Sequence, residues 1–378
     1  MELSKCYLGE VITQRREKNN GDLMPICGVT RDGFIPPKQK DADISMYNVF
    51  YKKDFVFNPA RMELNSIVYN DTYEKAMCSS LYEIFYVNRP DIIMPEFLAL
   101  IVKQKWFTRY CEFLGSGSAR EYCRVANISQ IELSFPSIDE QRKIVEINEI
   151  IKRRIKSKRQ INDNLMSVLS AVYKEFFSDA ETQYEKVPLH KICCKIGSGA
   201  TPKGGKTAYI KDGISLIRST NVYDFRFEYS DLAHINQHQA DALANVTIES
   251  HDVLFNITGV SVARCCIVPD DVLPARVNQH VMIIRPEKGR IMSYYIMFTL
   301  CSADNKAKLL GIGQSGSTRE AINKQELEAY KIPLPDDISL NKFANIAERV
   351  YGYIQYNVKE IQALEDMKSV LLAQLSRH

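Results

Sequence analysis

Ser116-Gly117-Ser118-Ala119-Arg120 and, 315 − 116 = 199 positions later, Ser315-Gly316-Ser317-Thr318-Arg319 are the same pentapeptide but for Ala119 against Thr318. The register extends in both directions. Asp54-Phe55-Val56-Phe57-Asn58 matches Asp252-Val253-Leu254-Phe255-Asn256 at an offset of 252 − 54 = 198, and with 199 Ile128 falls on Leu327, Ile131 on Tyr330, Leu133 on Ile332, Phe135 on Leu334 and Pro136 on Pro335. Blocks that share one register across a chain mark an internal duplication. Upstream, Leu8 aligns with Leu189 at 189 − 8 = 181, so the second half carries about 198 − 181 = 17 extra residues near its start. Gly197, Gly199, Gly204 and Gly205 with Pro202 place that surplus in a loop around Ile196–Tyr209.

Each half therefore has the same order: short alternating strands (Asn48–Phe57; Asp252–Asn256 with Ala263–Val268), a helix (Pro95–Tyr110 in the first half), a Gly/Ser loop, a strand ending in proline, and a long helix. After Pro136 apolar residues fall at Ile144, Ile147, Ile151, Ile155, Leu165, Val168, Val172 and Phe176; after Pro335 they fall at Phe343, Ile346, Val350, Ile354, Ile361, Leu364, Met367, Leu371 and Leu375. Spacings of three and four over this length predict two long amphipathic helices with a coiled-coil-like seam, each about 60 Å at 1.5 Å per residue. A stripe that long cannot be hidden on one small domain, so the two helices are expected to pack on each other. The polar stretch Ser178–Gln183 reads as the linker. The fold class is α/β (α+β) with two pseudo-repeated globular domains: 1–136 and 183–335 are globular, 137–182 holds the first long helix and linker, and 336–378 holds the second helix.

Composition narrows the function. The chain has 378 residues, 49 Lys+Arg against 46 Asp+Glu, a net charge of +3 and 45% apolar residues, an ordinary globular mixture of two or three domains. The near-zero charge excludes a wholesale polybasic binder, so any nucleic-acid surface is local. No apolar run nears the ~18 residues of a membrane span, and Met1–Val11 carries no export or organelle signal, so a cytoplasmic protein is expected. Ten scattered cysteines without a C-x-x-C fit reduced thiols, and the adjacent pairs Cys193–Cys194 and Cys265–Cys266 would point to opposite faces of a strand, against a shared zinc site.

The usual catalytic constellations are missing from the sequence. Phe113-Leu114-Gly115-Ser116-Gly117 imitates the F-x-G-x-G string of S-adenosylmethionine-dependent methyltransferases, but it follows a helical stretch rather than a strand, and no N-P-P-[FY] or D-P-P-Y occurs. No phosphate-binding G-x-x-x-x-G-K-[ST] is present, and Pro269-Asp270-Asp271 lacks the E-x-K of a nuclease site. His234 and His238, at a helical i, i+4 spacing, lack the glutamate of H-E-x-x-H and read as surface residues. No catalytic or metal residue is assigned.

Binding residues are better represented. The Gly197–Lys206 loop offers Lys203 and Lys206 to phosphates. Arg218, Asn221, Arg264 and Arg276, with Asn278-Gln279-His280, supply Arg, Asn and Gln, whose planar forks suit base edges, and Arg31, Lys38, Gln39, Lys40, Arg61 and Asn65 are the first-half candidates. Arg120 and Arg319, which close the repeated loops in register, are the best-matched pair. Arg153–Arg159 holds five basic residues in seven, suited to intervening phosphates.

Pro136-Ser137-Ile138-Asp139-Glu140-Gln141-Arg142-Lys143-Ile144 resembles the P-x-x-x-E-Q-x-x-I helix start of the specificity subunits of type I restriction-modification systems. Ser315–Arg319 through Lys331-Ile332-Pro333-Leu334-Pro335 is similar to that family's G-S-T…I-P-x-P stretch, and Leu8-Gly9-Glu10-Val11 adds a third match. There are two departures. After Pro335 the Glu-Gln pair is replaced by Ser339-Leu340, and the first half lacks the G-S-G-x-T-P loop of the second. The resemblance implies two target-recognition domains, each reading half of a split, asymmetric DNA site, with the long helices packed antiparallel as a spacer. It also implies a non-catalytic, sequence-specific subunit that directs adenine methylation and cleavage by partners. Those partners would be modification subunits that bind S-adenosylmethionine and restriction subunits that use ATP and magnesium, with no cofactor in this chain. Two other readings stand beside it: a coiled-coil adaptor without DNA readout, and a methyltransferase or nuclease with an unrecognised site.

Overall fold

A computed structural model describes residues 3–37, 44–115, 122–202, 204–314 and 321–374. The chain divides into two compact units, Met1–Ser157 with Glu360–His378, and Lys158–Lys359.

Both units carry the same sheet topology. In the first, an antiparallel sheet runs in the order Ile12–Arg15, Glu83–Val87, Phe55–Phe57, Val68–Tyr69; in the second the order is Cys193–Ser198, Val281–Pro286, Val253–Asn256, Cys265–Ile267. Side chains alternate across a strand, so each sheet separates two cores. Phe55, Phe57 and Phe85 face the helical core of the first unit, while Val56 and Ile84 face a smaller core with Phe50 and Cys78. In the second unit Val253, Phe255, Met282 and Ile284 face one core and Leu254, Val281 and Ile283 the other. A second sheet covers the smaller core in each unit, and each contains a parallel pair: Ile26–Thr30 with Lys75–Cys78, and Ile214–Ile217 with Ala275–Val277. A two-stranded pairing closes each repeat, Ser4–Tyr7 with Glu132–Phe135 and Lys186–Pro188 with Lys331–Pro333.

The repeated blocks are the joints of this fold. Asp54 and Asp252 are almost fully buried, at 1% and 0% exposure. Each follows a residue with left-handed backbone, Lys53 at φ 71° and His251 at φ 66°. Each accepts the backbone N–H three residues earlier, from Tyr51 and Glu249, at 2.8 Å in both cases. An arginine neutralises each carboxylate, but from different strands: Arg15 from the edge strand and Arg285 from the neighbouring one. The residue just after the Asp-to-Asn block accepts an equivalent bond in both halves. Cys123 N donates to Pro59 O and Ile322 N to Ile257 O, two bonds 322 − 123 = 199 residues apart in donor position.

The long helices run Ile138–Phe177 (40 residues) and Asp337–Gln374 (38 residues). Acceptors close their first turns: Ser137 Oγ donates to Glu140, and Asp336 accepts from both N and Oγ of Ser339, which lowers the Asp336 carboxyl below its usual range. Their pairing is antiparallel within each unit. In the first, Arg154 bonds Glu360, while Ile144, Val145 and Leu371 meet in one core. In the second, Lys158 donates to Asn357 at 2.9 Å, Asn357 donates to Asn162 at 2.8 Å, and the Tyr173 and Phe343 rings lie 5.6 Å apart. A wholly buried Asn357 in a largely apolar seam fixes register, because any slip would leave its amide unpaired.

Gln141 explains the Glu-Gln motif. Wholly buried, it accepts Met94 N–H at 2.9 Å and donates to the carbonyls of Ile92 and Pro136, each at 3.0 Å, fastening the helix start to its globe. The position 199 later is Leu340, also wholly buried, and there apolar packing does the same work. Gln141→Ala should therefore destabilise the chain by about 2–3 kcal/mol, since a buried donor and two acceptors lose their partner. Denaturant unfolding checks this, and a loss below about 0.5 kcal/mol contradicts it.

Several local expectations are corrected. Asn48–Phe57 is two strands, Asn48–Tyr51 and Phe55–Phe57, separated by the left-handed turn at Lys53. Pro95–Tyr110 is two helices, Pro95–Val102 and Lys105–Gly115. The Ile196 loop starts as strand, because Cys193–Ser198 pairs with Val281–Pro286. The polar linker contains a helical turn, Ala180–Gln183, seated by buried Ala180. His234 lies on a strand and His238 on the helix Gln237–Ala242, so they share no helix face. Cys193 is buried and Cys194 exposed, as alternation requires, whereas Cys265 and Cys266 are both buried because both faces of their strand are covered. No described helix is long and apolar enough to cross a membrane.

Candidate nucleic-acid interface

The turns at one end of the first unit's sheets enclose a cleft of about 800 Å³. Three elements build it: the turn after Ile26–Thr30, the segment after Phe55–Phe57, and the helix Lys105–Gly115 with the residues just before it. The sequence candidates Arg31, Arg61 and Asn65 all line it, joined by Lys103, Lys105 and Arg109. Five cationic side chains against Asp32 and Glu112 give this cleft a positive field inside a nearly neutral chain. Lys105 and Arg109 stand one helical turn apart, so an i, i+4 scan of the helix could have found them. Lys103 sits at the helix break that the sequence reading missed.

Lys103 is held by the cleft wall. Its ammonium donates to the Arg31 carbonyl at 2.8 Å and the Asn65 carbonyl at 3.3 Å. Asn65 can present that carbonyl because it adopts a left-handed backbone at φ 49°, which asparagine tolerates. Although the residue is exposed at the cleft mouth, desolvation of the ammonium group pulls its pKa down to about 8, against the raising influence of Asp32. An anion in the cleft favours the protonated form, so binding takes up a proton and weakens as pH rises. A duplex should thus bind progressively less tightly from pH 7 to pH 9, with the salt slope falling by about 0.9 as one charge is lost. Lys103→Arg should remove that trend; salt titrations at both pH values decide it, and an unchanged slope in the parent chain contradicts it.

The second unit treats the sequence candidates differently. Asn221 is wholly buried: it accepts Arg218 N–H at 3.0 Å and donates to the carbonyls of Glu228 and Ser230. Arg276 is 8% exposed and donates to Ala240 O and Ala275 O. Both are corrected from base-reading to structural roles, since their donors already satisfy buried carbonyls. Arg218 donates to Asp231 O and lies 5.5 Å from the Tyr209 ring. Arg264 stands 4.6 Å over Tyr223, which Arg226 also approaches at 4.8 Å. Gly199 is required by close packing: a Cβ there would lie 1.8 Å from the Val277 carbonyl oxygen. Lys38, Gln39, Lys40, Arg120, Lys203 and Arg319 lie outside the described residues, and Lys206 is described only in its backbone. Among the described residues, no group of three or more His, Cys, Asp or Glu side chains comes together as a metal site.

Residues 9–166, which span the first globular half and most of the first long helix, match the family model described as type I restriction modification DNA specificity domain. The type I restriction enzyme MjaIX specificity subunit of Methanocaldococcus jannaschii is 23% identical over 310 residues, covering 75% of this chain and 69% of that protein. Over this stretch the chain is similar to the type I restriction-modification specificity family. The HindI specificity subunit of Haemophilus influenzae is 27% identical over a shorter stretch of 99 residues, 25% of this chain and 22% of that protein. Among solved structures, the type I restriction-modification S subunit from M. genitalium shares the fold, with a TM-score of 0.63 at 12% identity, covering 99% of this chain and 96% of that one.

Proposed function

We propose that the chain is the DNA-reading specificity subunit of a type I restriction-modification complex. Each globular half reads one half of a split, asymmetric duplex site, and the paired helices set the spacing between the halves. The chain itself is non-catalytic: it directs adenine methylation and cleavage by modification and restriction subunits, which hold S-adenosylmethionine, ATP and magnesium. The observation that carries this reading is the duplicated sheet topology with a cationic cleft at one sheet end of the first half. One topology presenting different side chains in its two copies suits two different half-sites. Arg31 and Arg61, exposed in that cleft, supply guanidinium forks that match guanine edges and phosphates.

The direct test is retention from a random duplex pool by the chain assembled with its neighbouring modification subunit. Enrichment of one bipartite sequence supports the reading, and equal retention of all duplexes contradicts it in favour of an adaptor role.

A further inference from the structure

At the corresponding sheet end of the second half, four side chains from three segments form one hydrogen-bonded row. Thr201 donates its hydroxyl to Gln279 Oε1. Gln279 Nε2 lies 3.2 Å from His280 Nε2, and His280 Nδ1 lies 2.7 Å from Thr258 Oγ1. The row stands on a fixed base, because His280 N donates to Asn278 Oδ1 at 3.0 Å and Gly199 N donates to Asn278 O at 3.1 Å.

The donor and acceptor roles in this row follow from chemistry. A glutamine amide nitrogen can only donate, so His280 Nε2 accepts and the imidazole proton resides on Nδ1, which donates to Thr258. Gln279 is exposed, yet its amide is held from both sides in one orientation. Each held atom uses one of its two bonding positions, which leaves one acceptor lone pair on Oε1 and one N–H on Nε2 unused within the row. An acceptor and a donor side by side on a planar group match N6–H and N7 of adenine in the major groove. Guanine offers two acceptors there, which this fork cannot satisfy.

A second observation comes from the adjoining loop. Two residues beyond Thr258, Val260 is 97% exposed at the tip of the turn Gly259–Ser261. The turn is made rigid by Gly259 at φ 67°, by Ser261 Oγ donating to Thr258 O at 3.3 Å, and by Val262 N donating to Gly259 O at 2.9 Å. A single exposed valine is unremarkable by itself. On the turn that follows Thr258, the end of the hydrogen-bonded row, it offers the apolar contact that a thymine C5-methyl group takes.

The geometry points to Gln279 as the base-reading side chain of the second half, with adenine as its target and Val260 on the adjoining turn taking a thymine methyl. This inference rests on the reading of the chain as a DNA specificity subunit. Thr201, His280 and Thr258 are positioning residues that act through the Gln279 amide.

The test is methylation mapping in cells that carry the full chain with its modification subunit, comparing wild type, Gln279→Ala, Gln279→Glu and His280→Ala. In Gln279→Ala, one A·T position in one half-site should become degenerate, discrimination there falling about 10- to 100-fold while the other half-site is unchanged. Gln279→Glu should shift that position toward C, because a carboxylate accepts from cytosine N4. His280→Ala should loosen the same position and no other, which loss of fold would not do. The melting temperature of each purified variant confirms folding. An unchanged motif in Gln279→Ala, or uniform loss at every position from a folded variant, overturns the assignment of Gln279. Absence of any motif in the wild type overturns the specificity reading itself, and this inference with it.

Discussion

Asp252→Ala lowers the stability of the chain by about 3–5 kcal/mol, because it removes the buried carboxylate that pairs a guanidinium largely withdrawn from water and leaves it only the exposed Glu249 carboxylate. Arg285 is 17% exposed at its side chain and donates to both carboxylate oxygens of Asp252 at 2.7 Å, and to the Thr247 carbonyl at 2.9 Å. Removing the carboxylate also orphans the Glu249 N–H that it accepts. The equivalent change in the first half, Asp54→Ala, should cost less, by about 1 kcal/mol or more. There Arg15 is 25% exposed and remains stacked against the rings of Tyr51 at 4.8 Å and Tyr86 at 4.7 Å, which partly compensate its charge. Denaturant unfolding of both variants reads the difference. A loss under about 1 kcal/mol for Asp252→Ala, or the reverse order, contradicts this account of the joints.

Reversing the charge of the first-half cleft should abolish its affinity for DNA. Arg31→Glu with Arg61→Glu replaces two of five cationic groups by anions in a confined cleft that already holds Asp32 and Glu112. Each lost arginine contact is worth about 1–3 kcal/mol, so the double variant should bind a cognate duplex at least about 100-fold more weakly at moderate salt. Both side chains are exposed, so the melting temperature should change little. Titration of a labelled cognate duplex measures the effect, and near-normal affinity in a folded double variant would remove this cleft from the DNA interface.

How far the sequence revealed the fold depended on how narrowly each position is constrained. Asp54 and Asp252 stood out because a buried carboxylate after a left-handed residue tolerates few replacements, so the block survives duplication even where its arginine partner has moved to another strand. Gln141 was legible as part of a motif, and its counterpart Leu340 shows that the buried position, more than the amide, is what the helix start needs. The long helices were legible from spacing alone, since an apolar stripe over 40 residues has no other use.

The candidate site was less legible, for a physical reason. Polar side chains that cap turns and polar side chains that face a ligand are the same residue types. Asn221 follows Ser219 and Thr220 just as a surface asparagine would, yet its amide closes a turn inside the second unit. Arg276 sits between buried Ala275 and Val277, but the neighbouring carbonyl of Ala240 gives it an internal partner that only the folded chain supplies. Conversely, Lys103 was overlooked because one continuous helix would have turned it away from Lys105 and Arg109, which share a face at i, i+4. The break between Pro95–Val102 and Lys105–Gly115 is what brings Lys103 to the same cleft.

The central claim, that this chain confers DNA sequence specificity on a methylating complex, is tested most directly by mapping adenine methylation at single-molecule resolution. DNA from cells expressing the chain with its neighbouring modification subunit is compared with DNA from cells that lack only this chain. The account predicts a split, asymmetric adenine motif that disappears when the chain is removed. A motif that persists without the chain, or no motif from a modification subunit shown to be active, would contradict it.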